Sequence, residues 1–306
     1  PTTSYEQPPV RIDQAHTTPA NELPGFGKPP VLLGDMNTPE QFLLGALYSV
    51  ALSQNGYSVE ITHNIGTTEI SQDALKQGSL DIYPEYLNVW NAQVAHVKAR
   101  FATGEAAYVA GSAYAVAHGF QLLTPTPFSD TSGLVVTSQF ARQNDIHSLT
   151  QLRKLPLLTY GIPPGFDLGP EGLRAAQRTY RFKPGYLQTI YELGDQYSWL
   201  NAGNVQVAYA GTTDPQLVGD QYTLLDDPEH VFGFGNIVPV TTPASVRKEG
   251  PAFVDIIDRV DALLTTSAMR GLNDEVEIEG HNPIGVAEQF LQGNGLLPPS
   301  RYSVTG

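Results

Sequence analysis

From Val31 onward the chain alternates between short apolar runs and segments whose apolar residues recur at helical spacing. "VLLG" (31–34) predicts a strand, and "NTPEQFLLGALYSVALSQNG" after it predicts a helix. Thr38 is placed to cap that helix, Pro39 takes its first position, and Gln41 completes a Thr-x-x-Gln capping box. Leu43, Leu47 and Val50 then share one face, and Gly56 ends the helix. Alternation over 57–63 predicts a second strand, 67–78 a second helix closed by Gly78, and 80–83 a third strand stopped by Pro84. The order βαβαβ argues for a parallel sheet.

The middle of the chain repeats this logic, with strands predicted at 133–137, 157–162, 187–193 and 205–210 and helices at 148–155, 169–180 and 196–203. Toward the C-terminus, 251–264 places Phe253, Ile256, Ile257, Val260 and Leu264 on one stripe. Two more helical segments follow, the last capped by Asn282, opened by Pro283 and stopped by Gly293. They form no third globular unit and are expected to pack back onto the first. The predicted fold class is α/β with two lobes: lobe I from 31–126 and 230–306, and lobe II from 127–229, inserted. The two crossings, near 125–130 and 227–237, would hinge a cleft suited to a small molecule. Residues 1–30 carry seven prolines and read as an extended linker, a tether or a leader without a role.

Length and charge narrow the function. A chain of 306 residues fits two domains better than one. The formal charge of −14 disfavours nucleic acid and anionic lipid as partners. With no cysteine there are no disulfides, thiolate metal sites or cysteine nucleophiles. No run of 18 apolar residues is available to span a membrane, and the start at Pro1 reads as that of a trimmed mature fragment.

Catalytic signatures do not emerge. There is no phosphate-binding G-x-x-x-x-G-K-[ST], and "FGFGN" (232–236) lacks the third glycine of a dinucleotide site. The G-x-S-x-G elbow is missing, and the seven histidines are scattered without metal-ligand spacing. The acid pairs Asp226–Asp227 and Asp274–Glu275 read as solvated faces. A non-enzyme without cofactor or metal is expected. The distinctive feature is aromatic: Tyr83, Tyr86, Trp90, Tyr197 and Trp199 fall at predicted strand ends or loop–helix junctions, the edges that face a cleft in open α/β sheets. Such faces attract cations, and core burial is the competing reading for each.

Several stretches together carry a resemblance: "GDMNTPEQFLLGALYSVALSQNGYSV", "NIGTTEISQDALKQGSLDIYPEY", "LNAGNVQVAYAGTTDPQL", "LLDDPEHVFGFGNIVPV" and "LNDEVEIEGHNPIGVAEQFLQGNGLL". From about residue 31 to 297 the chain resembles the extracytoplasmic substrate-binding proteins of glycine betaine/choline (osmoprotectant) ABC transporters, with "YPEY" the most specific mark. The resemblance implies a type II periplasmic-binding-protein fold, capture of a small molecule by a monomer, lobe closure, and delivery to a membrane permease. It also implies a place in the periplasm or, as a lipoprotein, at the outer face of the cell membrane.

Carried over residue by residue, the family's pocket gives a mixed pattern. Tyr86 supplies the second tyrosine of Y-P-E-Y, and Gln41 the glutamine after the first strand. Met36 stands where a lysine is common, next to Asn37, and Val89 where a threonine is expected. The usual arginine falls on Gly169, ahead of Glu171–Gly172. Box tyrosines fall on Ser132, beside Thr131, and on Gly211. Tyr197 or Trp199 would supply the remaining wall. A ligand carboxylate thus loses its customary cationic partners, which a desolvated anion needs. The ligand expected is glycine betaine-like, or a cation without a carboxylate, or a larger uncharged or aromatic molecule. An importer subunit, a sensor and an enzyme on the same fold are the competing functions.

Overall fold

The computed structural model describes residues 18–298; residues 1–17 of the proline-rich leader lie outside them. The remainder of that leader docks. After a single turn at Ala20–Glu22, Gly25 lies so close to Gly56 and Tyr57 that a Cβ on it would sit 2.3 Å from the Tyr57 nitrogen.

Among the described residues ten strands form two five-stranded sheets. The first contains β1 (Val31–Gly34), β2 (Val59–Thr62), β3 (Ile82–Tyr86), β4 (Gln121–Leu122) and, from far along the chain, β10 (Ile237–Thr241), in the order β2-β1-β3-β10-β4. The second contains β5 (Ser132–Thr137), β6 (Thr159–Ile162), β7 (Tyr186–Thr189), β8 (Val207–Gly211) and β9 (Tyr222–Leu224), in the order β7-β6-β8-β5-β9. In each sheet the strands joined by helices run parallel, as βαβ connectivity requires. The strand arriving directly from the other sheet, β5 or β10, pairs antiparallel with its neighbours.

Pro84 does not stop β3, contrary to the sequence reading. It pairs with Pro239 of β10 in register, at a position where neither residue exchanges a hydrogen bond with the other. The flanking exchange is visible where the Leu87 N–H donates to Asn236 O at 2.9 Å. At such a position the missing N–H would point away from the partner strand, and the neighbouring strand β1 has already ended its pairing with β3 at Leu33–Ile82. Between β3 and β10 the two prolines therefore cost no ladder bond, whereas on its other side Pro239 accepts the Leu123 N–H at 2.9 Å and has no N–H to return.

The helices follow their caps. Thr38 accepts the Gln41 N–H at the start of Pro39–Gln54, and the Gln41 side chain accepts from Met36 N rather than from the cap residue itself. The full reciprocal box forms at Ser148 and Gln151, around a short 3-10 segment, Leu149–Lys154. The helix predicted over 169–180 begins only at Leu173, because Gly169 takes φ +91° and breaks the first turn. Helices Gly104–Ala117, Ser138–Asn144 and Pro243–Glu249 carry too many small or polar residues for apolar periodicity to show them.

The main core lies under the first sheet. Leu43, Leu44 and Leu47 meet Phe253, Ile257 and Val260 of Pro251–Asp261 and Leu291 of Pro283–Gly293, all fully buried. At roughly 1.5–3 kcal/mol per buried side chain this cluster holds the C-terminal helices on the first sheet. A second core, with Leu134, Val136, Leu149, Ala176 and Val207, belongs to the other sheet.

The chain passes between the sheets twice, and the two passages pair with each other. Ser129 and Asn236 form an antiparallel bridge, the Asp130 N–H donates to Gly235 O at 3.0 Å, and the Gly235 N–H donates to Ser129 Oγ at 2.8 Å. Asn236 Nδ2 donates to Thr126 O and Phe128 O at 2.9 and 3.1 Å, which fixes the base of the pair.

Candidate functional site

Where the two sheets' units meet, the structure has a closed polar floor and an open mouth. The floor is built on Glu40, in the first turn of Pro39–Gln54. Its carboxylate accepts three hydrogen bonds: from the Tyr86 hydroxyl at 2.9 Å, Thr213 Oγ1 at 2.8 Å and Asn273 Nδ2 at 2.8 Å. Tyr86 ends β3, Thr213 follows β8, and Asn273 ends the helix Thr266–Asn273, so three distant segments converge on one anion.

Two further carboxylates adjoin it. Asp130 lies in the first passage between sheets, with Thr212 Oγ1 at 3.5 Å. Asp214 accepts from the Tyr197 hydroxyl at 2.6 Å. Burial raises all three, and the neighbouring Glu40 charge adds to the effect on Asp130, which is pushed up to about 8. The charge of Arg270 bears on Asp214, and its Nε donates to Thr212 O at 2.9 Å. Gln41 Nε2 and Asn273 Oδ1 are buried without a partner among the described residues. The floor therefore has acidic groups in excess of cations and unused polar atoms, and a cationic group would favour their ionised form.

The mouth is a cavity of about 820 Å³. One wall is the segment after β3, with Asn88, His96, Lys98, Arg100 and Phe101; the other holds Phe166, Gly169 and Glu171, with His230 and Phe234 from the second passage. Phe166 meets Tyr209 of β8 edge-on at 4.9 Å. Burial raises the Tyr209 phenol, Asp130 and Asp214 add to the rise, and a hydrogen bond with Ser132 opposes it. Of this pair Phe166 lines the cavity and Tyr209 does not, nor do Glu40, Asp130 and Asp214. Glu171 is raised by burial, against a hydrogen bond with Asn88 and the charge of Arg100.

The residues singled out from sequence divide between these places. Gln41 and Tyr86 lie in the floor. Thr131 donates its N–H to Thr212 Oγ1 at 2.9 Å, and Ser132 pairs with Gly211 across β5 and β8. Tyr197 reaches the floor through Asp214. The space that a side chain at Gly211 would take is filled, since a Cβ there would lie 2.6 Å from Asp214 Oδ1. Met36 packs half-buried against the first unit's small core, Asn37 is exposed beside it, and Val89 is half-buried in the turn that carries Asn88. Trp199 packs against the cluster of Val135, Leu200 and Val205 and is not among the cavity's lining residues. Tyr83 and Trp90 are fully buried core, with Trp90 Nε1 donating to Gly111 O at 3.1 Å.

Sequence reasoning missed Glu40, Asp130, Thr213, Asp214 and Asn273. Glu40 looks like an ordinary helix-dipole acid, and only its place beside Gln41 marked it. Asp130 stood inside the predicted hinge, where an unpaired acid next to Thr131 and Ser132 was the available signal. Arg100 and Lys98 stood in a segment without periodicity. Among the described residues no group of three or more histidines and acids has the geometry to hold a metal ion.

The family model of the substrate binding domain of ABC-type glycine betaine transport systems matches residues 29–293. The glycine-betaine-binding protein of Pseudomonas aeruginosa is 27% identical over 277 residues, spanning 87% of this chain and 88% of that protein. The glycine betaine-binding protein YehZ of Escherichia coli is 27% identical over 305 residues, spanning 90% of this chain and 94% of that protein. Among solved structures, a glycine betaine/carnitine/choline ABC transporter protein superposes with a TM-score of 0.80 at 21% identity, over 87% of this chain and 99% of that one.

Proposed function

Because the chain belongs to the family of substrate-binding domains of ABC-type glycine betaine transport systems, a family of binding domains rather than enzymes, we propose that it captures a small cationic or zwitterionic osmolyte of the glycine betaine, choline and carnitine class. It hands this solute to a permease outside the cytoplasm, acting as a monomer. No helix of the described residues is long and apolar enough to cross a membrane.

The observation that carries the ligand's charge class is the convergence of Glu40, Asp130 and Asp214 beside Tyr86, with the Arg270 charge bearing on Asp214 alone of the three. A quaternary ammonium at about 4 Å from one such carboxylate gains on the order of 4 kcal/mol at the effective dielectric of a protein surface. The face of Tyr86 adds about 2 kcal/mol when desolvated. Gln41, Thr131, Ser132, Tyr197 and Gly211 complete the wall. Residues 31–126 and 233–298 form one lobe and 127–232 the other, Val231 and Phe232 being buried in the second core, and the paired passages at Ser129–Thr131 and Gly235–Asn236 bend as the cleft closes.

A thermal-shift and calorimetric panel of choline, glycine betaine and carnitine tests this. A ligand present at 100 times its Kd stabilises by about 2.7 kcal/mol and raises the melting midpoint visibly. Absence of any shift at saturating concentrations of all three would overturn the reading.

A further inference from the structure

Resting on the reading of this cleft as the solute site, we propose that its mouth is a second subsite for a ring-bearing carboxylate: Arg100 with Lys98 contacts the anion, and Phe101, Phe166 and Phe234 contact the ring. The ligand is then an elongated zwitterion, ammonium on the floor and aromatic carboxylate at the mouth.

Size comes first. A cavity of about 820 Å³ lies in the range that holds drug-sized molecules, far beyond a trimethylammonium osmolyte of a few heavy atoms. Charge comes next. The chain has 17 lysines and arginines against 31 acids, yet two of the cations stand two residues apart on this wall. Neither forms an ion pair among the described residues. Among the described residues Arg100 makes one side-chain bond, from Nη1 to Thr179 Oγ1 at 3.4 Å, which leaves most of its donor fork open. The acid facing them, Glu171, is hydrogen-bonded by Asn88 and forms no ion pair with Arg100 among the described residues, although it feels the Arg100 charge. Shape is the third element. Phe101 comes from one unit, Phe166 from the other and Phe234 from the passage between them, so closure brings aromatic faces together from both sides. Phe234 is itself tilted against His230 at 4.7 Å, which holds its ring in place. A guanidinium beside aromatic faces is the chemistry that recognises a planar carboxylate bidentately.

The test uses two probes that differ by one group, 4-(trimethylammoniomethyl)benzoate and benzyltrimethylammonium, titrated calorimetrically alongside choline. The carboxylate-bearing probe is expected to bind at least tenfold more tightly than its truncated partner. Arg100→Ala is expected to bring the two within about twofold, and Arg100→Lys to restore part of the difference. Arg100 is exposed, so both variants should melt as the parent does. Equal binding of the two probes to the parent, or a difference that survives Arg100→Ala, overturns the subsite. Choline binding with neither benzyl probe binding overturns it too and leaves the osmolyte function standing. If glycine betaine, choline and carnitine all fail as well, both readings fall.

Discussion

The Thr213 hydroxyl donates to the Glu40 carboxylate at 2.8 Å, joining the loop after β8 of the second sheet to the first turn of the helix after β1 of the first. The bond is buried, and Asn273 seals it by donating to both Glu40 Oε2 and Thr213 O. It is a direct polar tie between the two units at the floor of the cleft. Thr213→Val keeps the shape and removes the donor. Losing a hydrogen bond to a buried charged acceptor costs about 1.5–3 kcal/mol, so osmolyte affinity should fall by about tenfold or more. Calorimetry of Thr213→Val against the parent checks this, and unchanged affinity would mean that closure does not use the tie.

Gly235 sets how closely the two passages approach. A Cβ there would lie 1.8 Å from Asp130 O, a backbone atom that cannot rotate away. Gly235→Ala should force the passages apart, break the Asp130 N–H bond to Gly235 O, and cost about 1–3 kcal/mol by overpacking. The expected result is a lower urea midpoint together with weaker ligand binding. Gly271→Ala, where a Cβ meets nothing within 4 Å, serves as the control.

The alternation of apolar runs and capped helices was readable because each signal is local: Thr38 with Pro39, Thr67 with Gly78, Asn282 with Pro283. What failed to show was non-local. Pro84 reads as a stop until Pro239 is placed opposite it. Gly104–Ala117 has a buried face of Ala107, Gly111 and Ala115, too small to stand out as hydrophobic. The floor shows the same limit. Tyr86 and Gln41 were found through a motif, whereas Glu40, Asp130 and Asp214 become one group only when the passages bring Asp130 and the loop after β8 against the first helix. Nothing in their spacing, 40, 130 and 214, encodes that.

Asp130 makes ligand binding depend on pH in a definite direction. It faces Glu40 and Asp214, and burial with their charge pushes it up to about 8. Below that pH the empty site holds a proton that a cationic ligand must displace. Affinity for a quaternary ammonium should therefore rise with pH toward about 8, by at most about tenfold per unit, and level off above it. Asp130→Asn should weaken binding at pH 8 and flatten the profile. A parent profile that is flat between pH 6 and 9 would remove Asp130 from the cation site.

Glu85 predicts a pH dependence of stability that is separate from binding. It is fully buried on β3, with Oε1 accepting the Tyr86 N–H at 2.9 Å and Oε2 the Tyr83 hydroxyl at 3.4 Å. Desolvation outweighs these bonds and raises it from 4.5 to about 7, with the Glu69 charge adding a little. The folded state thus binds a proton more tightly than the unfolded chain. Its contribution is fully present below the unfolded value near 4.5 and is lost as pH climbs through 7. At about 1.4 kcal/mol per unit, the loss is on the order of 3 kcal/mol between pH 4.5 and 8. Glu85→Gln fixes the neutral form: its carbonyl can accept from Tyr86 N, and its amide can donate to the Tyr83 hydroxyl, which accepts as readily as it donates. Urea melts of parent and variant at pH 5 and pH 8 should show the parent losing about 3 kcal/mol more than the variant over that interval. Parallel losses in both would place the titrating proton on another group.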